Sequence, residues 1–249
     1  MQAYTDTPTF IGPGAIVSNL RKAFENQGGV SGLGALGFLA AVNGSREPEI
    51  VLVSNRHVLL AHGATRGDAI YRPVLSGGLT PYTIRADELA PIAEILDEGA
   101  EENHRFQYPG EPPREYFVDC ATARIRAGYG SGLLRLRRAA RIHPLDIVGG
   151  RTAVVRKAGN GAPTGRVIDA NGPVEAAGER RLGNIVIRAA DDAFARPGDS
   201  GGLLLNDRGE PVGMLWGRSE RDPTLAYACH LHPVLDRLKV TMLDGGLAS

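Results

Sequence analysis

Phe194-Ala195-Arg196-Pro197-Gly198-Asp199-Ser200-Gly201-Gly202-Leu203 is the most informative stretch of this 249-residue chain. A serine nucleophile needs its hydroxyl on an exposed turn and its own backbone N–H aimed at a developing oxyanion. Glycines on both sides let the chain make that turn and let a substrate approach closely. The run Leu203-Leu204-Leu205 reads as a strand that anchors the turn. The same residues also read as a plain glycine-rich turn, so the assignment depends on what the rest of the chain supplies.

A serine needs a base. Ile50-Val51-Leu52-Val53-Ser54-Asn55-Arg56-His57-Val58 puts a histidine directly after an apolar strand, a rigid platform for an imidazole. Of the six histidines, His57 alone follows such a strand; His62 and His104 lie in polar stretches and His143 precedes a proline. The base in turn needs an orienting carboxylate. Tyr116-Phe117-Val118-Asp119-Cys120-Ala121 carries an aspartate into an aromatic and β-branched run, where a charge is costly unless paired. A hydrogen bond to the imidazole would satisfy it, fix the tautomer and stabilise the imidazolium. Taken singly, His57 reads equally as a hydrogen-bonded structural residue and Asp119 as a turn cap. The chain order His, Asp, Ser is the one found in chymotrypsin-type enzymes, against different orders in subtilisins and α/β-hydrolases.

On these residues the chain resembles the trypsin-like (chymotrypsin-fold) serine peptidase superfamily, in its compact, disulfide-free bacterial form. Ser54-Asn55-Arg56-His57-Val58-Leu59 is similar to that group's histidine motif, Val118-Asp119-Cys120-Ala121 to its aspartate motif, and Phe194–Leu203 to its nucleophile segment. Val212-Gly213-Met214-Leu215-Trp216-Gly217 is similar to the strand lining the substrate cleft; Gly67-Asp68-Ala69-Ile70 and Lys157-Ala158-Gly159 also have counterparts. The resemblance implies an all-β fold of two packed six-stranded antiparallel barrels with a short C-terminal helix. It implies catalysis by His57, Asp119 and Ser200, and an oxyanion hole from the N–H groups of Gly198 and Ser200. Leu215, Trp216 and Gly217 would bind an extended substrate as an added strand. Leu215 stands where a serine often precedes the cleft aromatic, which removes one hydrogen bond to the aspartate. The residue six before the serine, Phe194, is expected at the base of the primary specificity pocket, making it short and apolar, with Gly217 keeping its entrance open. That favours small or medium apolar side chains before the scissile bond. A shifted alignment carrying Asp191 or Asp192 into the pocket would favour arginine or lysine instead.

Along the chain, glycine (33) and proline (16) punctuate many short apolar runs, the pattern of a sandwich or barrel. Strands are expected over Gly34–Val42, Glu49–Ser54, Ala69–Val74, Ile92–Leu96, Tyr116–Ile125, Thr152–Lys157, Gly165–Ile168, Asn184–Arg188, Gly202–Leu205, Pro211–Trp216 and Leu225–Cys229. Helices are expected over Ala15–Gln27, from apolar residues at helical spacing, and over Pro233–Leu238. The polar stretch Asp97–Arg114 reads as an exposed loop. The division expected is an N-terminal extension, 1–32; a first barrel, 33–130, carrying His57 and Asp119; and a second, 131–249, carrying Ser200 and the closing helix.

Formal net charge is +0, which gives no general attraction to nucleic acid or anionic membrane. No run approaches the roughly 18 apolar residues of a membrane span. Only two cysteines are present, Cys120 and Cys229, too few for a small secreted disulfide scaffold. With no signal-peptide pattern at the N-terminus, a cytoplasmic protein with free thiols is expected. Gly32-Leu33-Gly34-Ala35-Leu36-Gly37 fits a dinucleotide fingerprint but lacks the strand before and helix after that the fingerprint requires. Cys229-His230-Leu231-His232 has no second ligand pair to make a zinc site. No cofactor or metal is therefore expected. The function read from the sequence is a serine endopeptidase acting on a protein or peptide substrate, controlled by a regulatory partner. The alternative is a catalytically silent barrel module that holds extended peptide.

Overall fold

The computed structural model describes residues 11–20, 32–45, 49–73, 91–126, 130–131, 134–147, 153–158, 163–190, 193–245 and 247–248. The elements are β1 (Ile16–Val17), β2 (Gly34–Ala35), β3 (Phe38–Val42), β4 (Ile50–Ser54), α1 (Arg56–Leu59), β5 (Ala69–Tyr71), β6 (Pro91–Phe106) and β7 (Arg114–Ile125). After these come the short β8 (Gly130–Ser131) and β9 (Arg135–Leu136), then β10 (Val154–Lys157), β11 (Thr164–Ala176), β12 (Glu179–Ala189) and β13 (Leu203–Asn206). The chain ends with β14 (Pro211–Arg218), β15 (Leu225–His230), α2 (Leu231–Leu238), β16 (Val240–Asp244) and β17 (Leu247–Ala248).

The fold is all-β in two antiparallel halves. The second half is a closed six-stranded barrel in the order β10-β11-β12-β15-β14-β13. The first is a seven-stranded sheet, β5-β6-β7-β4-β3-β16-β9, not closed among the described residues. Its sixth strand comes from the far end of the chain: Val240–Asp244 pairs with β3, Val240 against Val42 and Leu243 against Leu39. In sequence order Val240–Asp244 falls in the second unit, yet it helps build the first sheet.

Alternation of apolar residues explains the cores. Leu39, Leu52, Ile70, Ile95 and Ala123 fill the inside of the first sheet. Val155, Val167, Ile185, Ile187, Leu204 and Val212 fill the second barrel. A third cluster lies between the halves and under α2, built from Phe38, Val53, Phe117, Met214, Trp216 and Leu231. This inter-barrel layer is where residues from both halves meet.

Two expectations need correction. Ala15–Gln27 is not helical where it is described: Ile16–Val17 pairs with Gly34–Ala35, and Leu20 has φ 57°. The remainder of that segment, like Asp191 and Asp192, lies outside the described residues. The stretch Asp97–Arg114 is not a loop throughout, because β6 runs on to Phe106 and pairs with β7 as far as Phe106 against Arg114. Hydrogen bonds and ion pairs hold the middle of this arm, and Phe106 at its end meets Tyr108 and Tyr116 edge-on. Glu101 binds Arg181 at 2.8 Å, Glu102 binds Arg237 at 2.9 Å, and the Asn103 side chain donates to Arg180 O and accepts from Leu182 N.

Candidate active site

β4 delivers the histidine. Its ladder with β7 ends at Ser54 against Ala121, so Asp119 lies just past the end of β4, where the chain turns into α1. Asn55 ties that turn down by donating from its side-chain amide to Asp119 O at 2.7 Å. Asp119 is fully buried. Its carboxylate accepts from His57 Nδ1 at 2.5 Å through Oδ2, and from the His57 main-chain N–H at 3.3 Å through Oδ1. Burial disfavours the charged form of His57, but the Asp119 hydrogen bond and charge, helped by Glu101, outweigh it. The imidazole pKa is raised above its ordinary 6.5. With Nδ1 occupied by the carboxylate, Nε2 is the nitrogen left to exchange a proton.

The serine turn is anchored by the strands around it. Ala35 N–H donates to Ser200 O at 2.7 Å, Gly201 N–H to Leu215 O at 2.7 Å, and Leu215 N–H to Gly202 O at 2.9 Å. Gly201 has φ +91°, and a Cβ built on it would fall 2.2 Å from Ala35 O and 2.3 Å from Ser54 Oγ. Only glycine lets the turn pack this closely on the end of β4, three residues before His57. Gly34 makes the second close approach: a Cβ there would meet both a Val58 methyl at 2.5 Å and Ser200 O at 2.8 Å. Gly34 thus packs between the Ser200 backbone and Val58, the residue next to His57. Its hydroxyl has one hydrogen bond, donated to Trp216 O at 3.4 Å, and none to His57. A rotation about χ1 is the motion that would redirect it.

Asp199 points away from this surface. Its Oδ2 accepts from Lys157 Nζ at 2.6 Å and from Arg196 N–H at 2.7 Å. The N–H groups of Asp199, Gly201 and Gly202 all donate within the turn and its neighbours. Those of Gly198 and Ser200 have no protein acceptor among the described residues, and a Cβ on Gly198 would meet open space. Two free amides on either side of a held carboxylate are suited to receive an oxyanion.

β14 forms the cleft wall. Trp216 donates from Nε1 to Asn184 Oδ1 at 3.0 Å, stacks on Tyr227 with centroids 5.4 Å apart, and meets Phe117 edge-on at 5.0 Å. The Arg181 guanidinium lies over both Trp216 and Phe117. β13 pairs with β14 only as far as Met214, so on the side away from β15 no strand among the described residues pairs with Gly217–Arg218, and that edge is open to an extended peptide.

Phe194 packs into the second barrel. It is fully buried among the second-barrel core residues, against Gly165, and does not line the cavity beside Ser200. That open cavity, about 100 Å³, is walled by Ala195–Pro197 on one side and by Leu215, Gly217 and Arg218 on the other. The sequence reading also missed Asn55, Arg181 and the Lys157–Asp199 pair. Only Lys157 had a signal, in its rarity and its place at a strand end.

The two cysteines are excluded as nucleophiles. Both are fully buried and unbridged, and burial pushes both thiols up in pKa, so neither offers a thiolate. Cys229-His230-Leu231-His232 ends β15 and begins α2, with His230 Nε2 bound to Ala170 O at 2.6 Å. No metal-holding cluster occurs among the described residues. The Gly32–Gly37 stretch enters β2 and β3, not a helix.

No protein-family model and no curated protein sequence matches the chain. Solved structures do. Thermobifida fusca protease A superposes with a TM-score of 0.55 at 15% identity, covering 94% of this chain and 99% of that one. A glutamic acid-specific serine protease, described as using a histidine triad in substrate binding, gives 0.56 at 14% identity over 93% and 98%. Nocardiopsis protease gives 0.51 at 16% over 93% and 98%. The chain has the fold of the bacterial chymotrypsin-type serine proteases.

Proposed function

We propose that this chymotrypsin-fold chain is a serine endopeptidase with His57, Asp119 and Ser200 as its catalytic triad. The observation that carries the reading is the buried Asp119 holding His57 Nδ1 at 2.5 Å, beside a serine turn with two unoccupied amides. Ser200 Oγ attacks the substrate carbonyl while His57 Nε2 takes its proton. The N–H groups of Gly198 and Ser200 hold the oxyanion, and His57 returns the proton to the leaving amine. Water then hydrolyses the acyl-enzyme by the same proton route in reverse. Trp216 and Gly217 align the substrate backbone along the open edge of β14, while Leu215, whose N–H and C=O are both bonded to the serine turn, backs the cleft.

Under this reading the substrate is a specific partner protein in the bacterial cytosol, in stress response or phage defence, under control of a regulatory protein. Two buried, unbridged cysteines support a reducing compartment. The net charge of +0 supports neither a nucleic-acid nor a membrane partner. No described helix is long and apolar enough to cross a membrane. Cleavage of an unfolded protein by the wild type, and none by Ser200→Ala at equal thermal stability, tests the assignment. One observation favours a second reading, a silent peptide-holding module: the Ser200 hydroxyl is bonded to Trp216 O, not to His57. Catalytic hydrogen bonds are often unformed before substrate binds, so we prefer the enzyme.

A further inference from the structure

Two cations line the cavity beside Ser200, and neither has an ion-pair partner among the described residues. Arg196 and Arg218 both line it, and both are exposed. Most other arginines near the two barrels' junction are neutralised: Arg181 by Glu101, Arg237 by Glu102, Arg141 by Glu111. Among the described residues, neither Arg196 nor Arg218 has a carboxylate or carbonyl bonded to its guanidinium group. Of the acids nearest in sequence, Asp199 is held by Lys157 Nζ and Arg196 N–H, and exposed Glu220, two residues beyond Arg218, makes no ion pair with it among the described residues; no carboxylate lines the cavity among them. The rest of the wall is Ala195, Pro197, Leu215 and Gly217, apolar surface suited to methylene groups. A small cavity whose lining combines apolar residues with two arginines is complementary to a side chain that is aliphatic at its root and anionic at its tip.

We infer that Arg196 and Arg218 determine specificity by binding a carboxylate side chain, aspartate or glutamate, at the substrate residue next to the scissile bond. The inference rests on the endopeptidase reading above and refines it. It replaces the apolar preference drawn from Phe194, which is buried behind the wall. Both arginines are exposed, so each pair is worth what solvent-screened pairs are worth, and together they give a roughly 5- to 30-fold preference for glutamate over glutamine. The preference shrinks as salt rises, since exposed charges are screened.

A peptide library varied only at the residue before the scissile bond tests this, read as kcat/KM ratios. For the wild type the glutamate-to-glutamine ratio is expected at roughly 5 to 30 in low salt, falling toward 1 near 1 M salt. In Arg196→Gln/Arg218→Gln the ratio falls to about 1, and in Arg218→Glu lysine overtakes glutamate. A ratio within one variant is insensitive to how much of that variant folds. Cleavage by the wild type with no acidic preference, or a preference surviving in the double variant, overturns the inference and leaves the protease reading intact. No cleavage of any peptide, together with no labelling of Ser200 by a fluorophosphonate, overturns both.

Discussion

Asp119→Asn changes almost no volume and should nevertheless nearly abolish catalysis. Asp119 presents two acceptors, Oδ2 to His57 Nδ1 at 2.5 Å and Oδ1 to the His57 main-chain N–H at 3.3 Å. Asparagine has one acceptor and one donor. If its carbonyl faces Nδ1, its NH2 group opposes the main-chain N–H, two buried donors face to face, at a cost of about 1–3 kcal/mol. If its NH2 group faces Nδ1, both hydrogen bonds survive, but only with the His57 proton moved to Nε2. The second arrangement wins, and it leaves Nε2 unable to accept the serine proton. The carboxylate that stabilises the imidazolium is lost as well. The expected drop in kcat is about 10⁴-fold, or about 5.5 kcal/mol of barrier. The His57 pKa should fall, because the Asp119 hydrogen bond and charge that raise it are gone. The assay is kcat on the best library peptide, with an NMR titration of His57 and a thermal melt to confirm folding. A loss below about tenfold in a folded variant would refute the role given to Asp119.

In the wild type, kcat/KM should rise with pH through the raised pKa of His57, so the half-maximal point lies above 6.5. Stability from the same pair runs the other way, complete below about 6.5 and lost as pH climbs through the folded value; a pH–rate profile beside denaturant melts reads both. Buried His230 behaves oppositely, because burial lowers its pKa to about 4. The unfolded chain binds its proton near 6.5 and the folded chain does not, so its contribution is present above about pH 6.5. About 3 kcal/mol is lost as pH falls toward 4, and His230→Gln should flatten that acid limb in urea melts. Lys157→Met leaves the Asp199 carboxylate with the Arg196 N–H but no counter-charge; a loss of about 1–2 kcal/mol in stability and a lower kcat with little change in KM are expected.

Much of the site was legible because its chemistry needs particular residues at strand ends. A histidine after Ile50–Ser54, an aspartate inside Tyr116–Ala121 and a serine between glycines are readable from residue type and hydrophobic pattern. The β6–β7 arm was not, because its outer half has no apolar alternation. Glu101, Glu102, Asn103 and His104 pair as strand only because Arg181, Arg237, the β12 backbone and Asp236 meet them from elsewhere in the fold. The pairing of Val240–Asp244 with β3 is likewise non-local and leaves no trace in local propensity. The burial of Phe194 was hidden for another reason. Counting back from the serine gives a position along the chain, but which side of the wall a side chain takes is decided by core packing, here against Gly165 and Ile187.

The most direct test is to treat the purified chain with a fluorophosphonate, locate the adduct by peptide mass spectrometry, and repeat with Ser200→Ala and His57→Ala. An unactivated serine does not react at a useful rate; one whose proton His57 can take does. The account predicts a single stoichiometric adduct on Ser200, none in Ser200→Ala, and labelling at least 10²-fold slower in folded His57→Ala. A folded wild-type chain that takes no label on Ser200, or labels equally fast without His57, would contradict it.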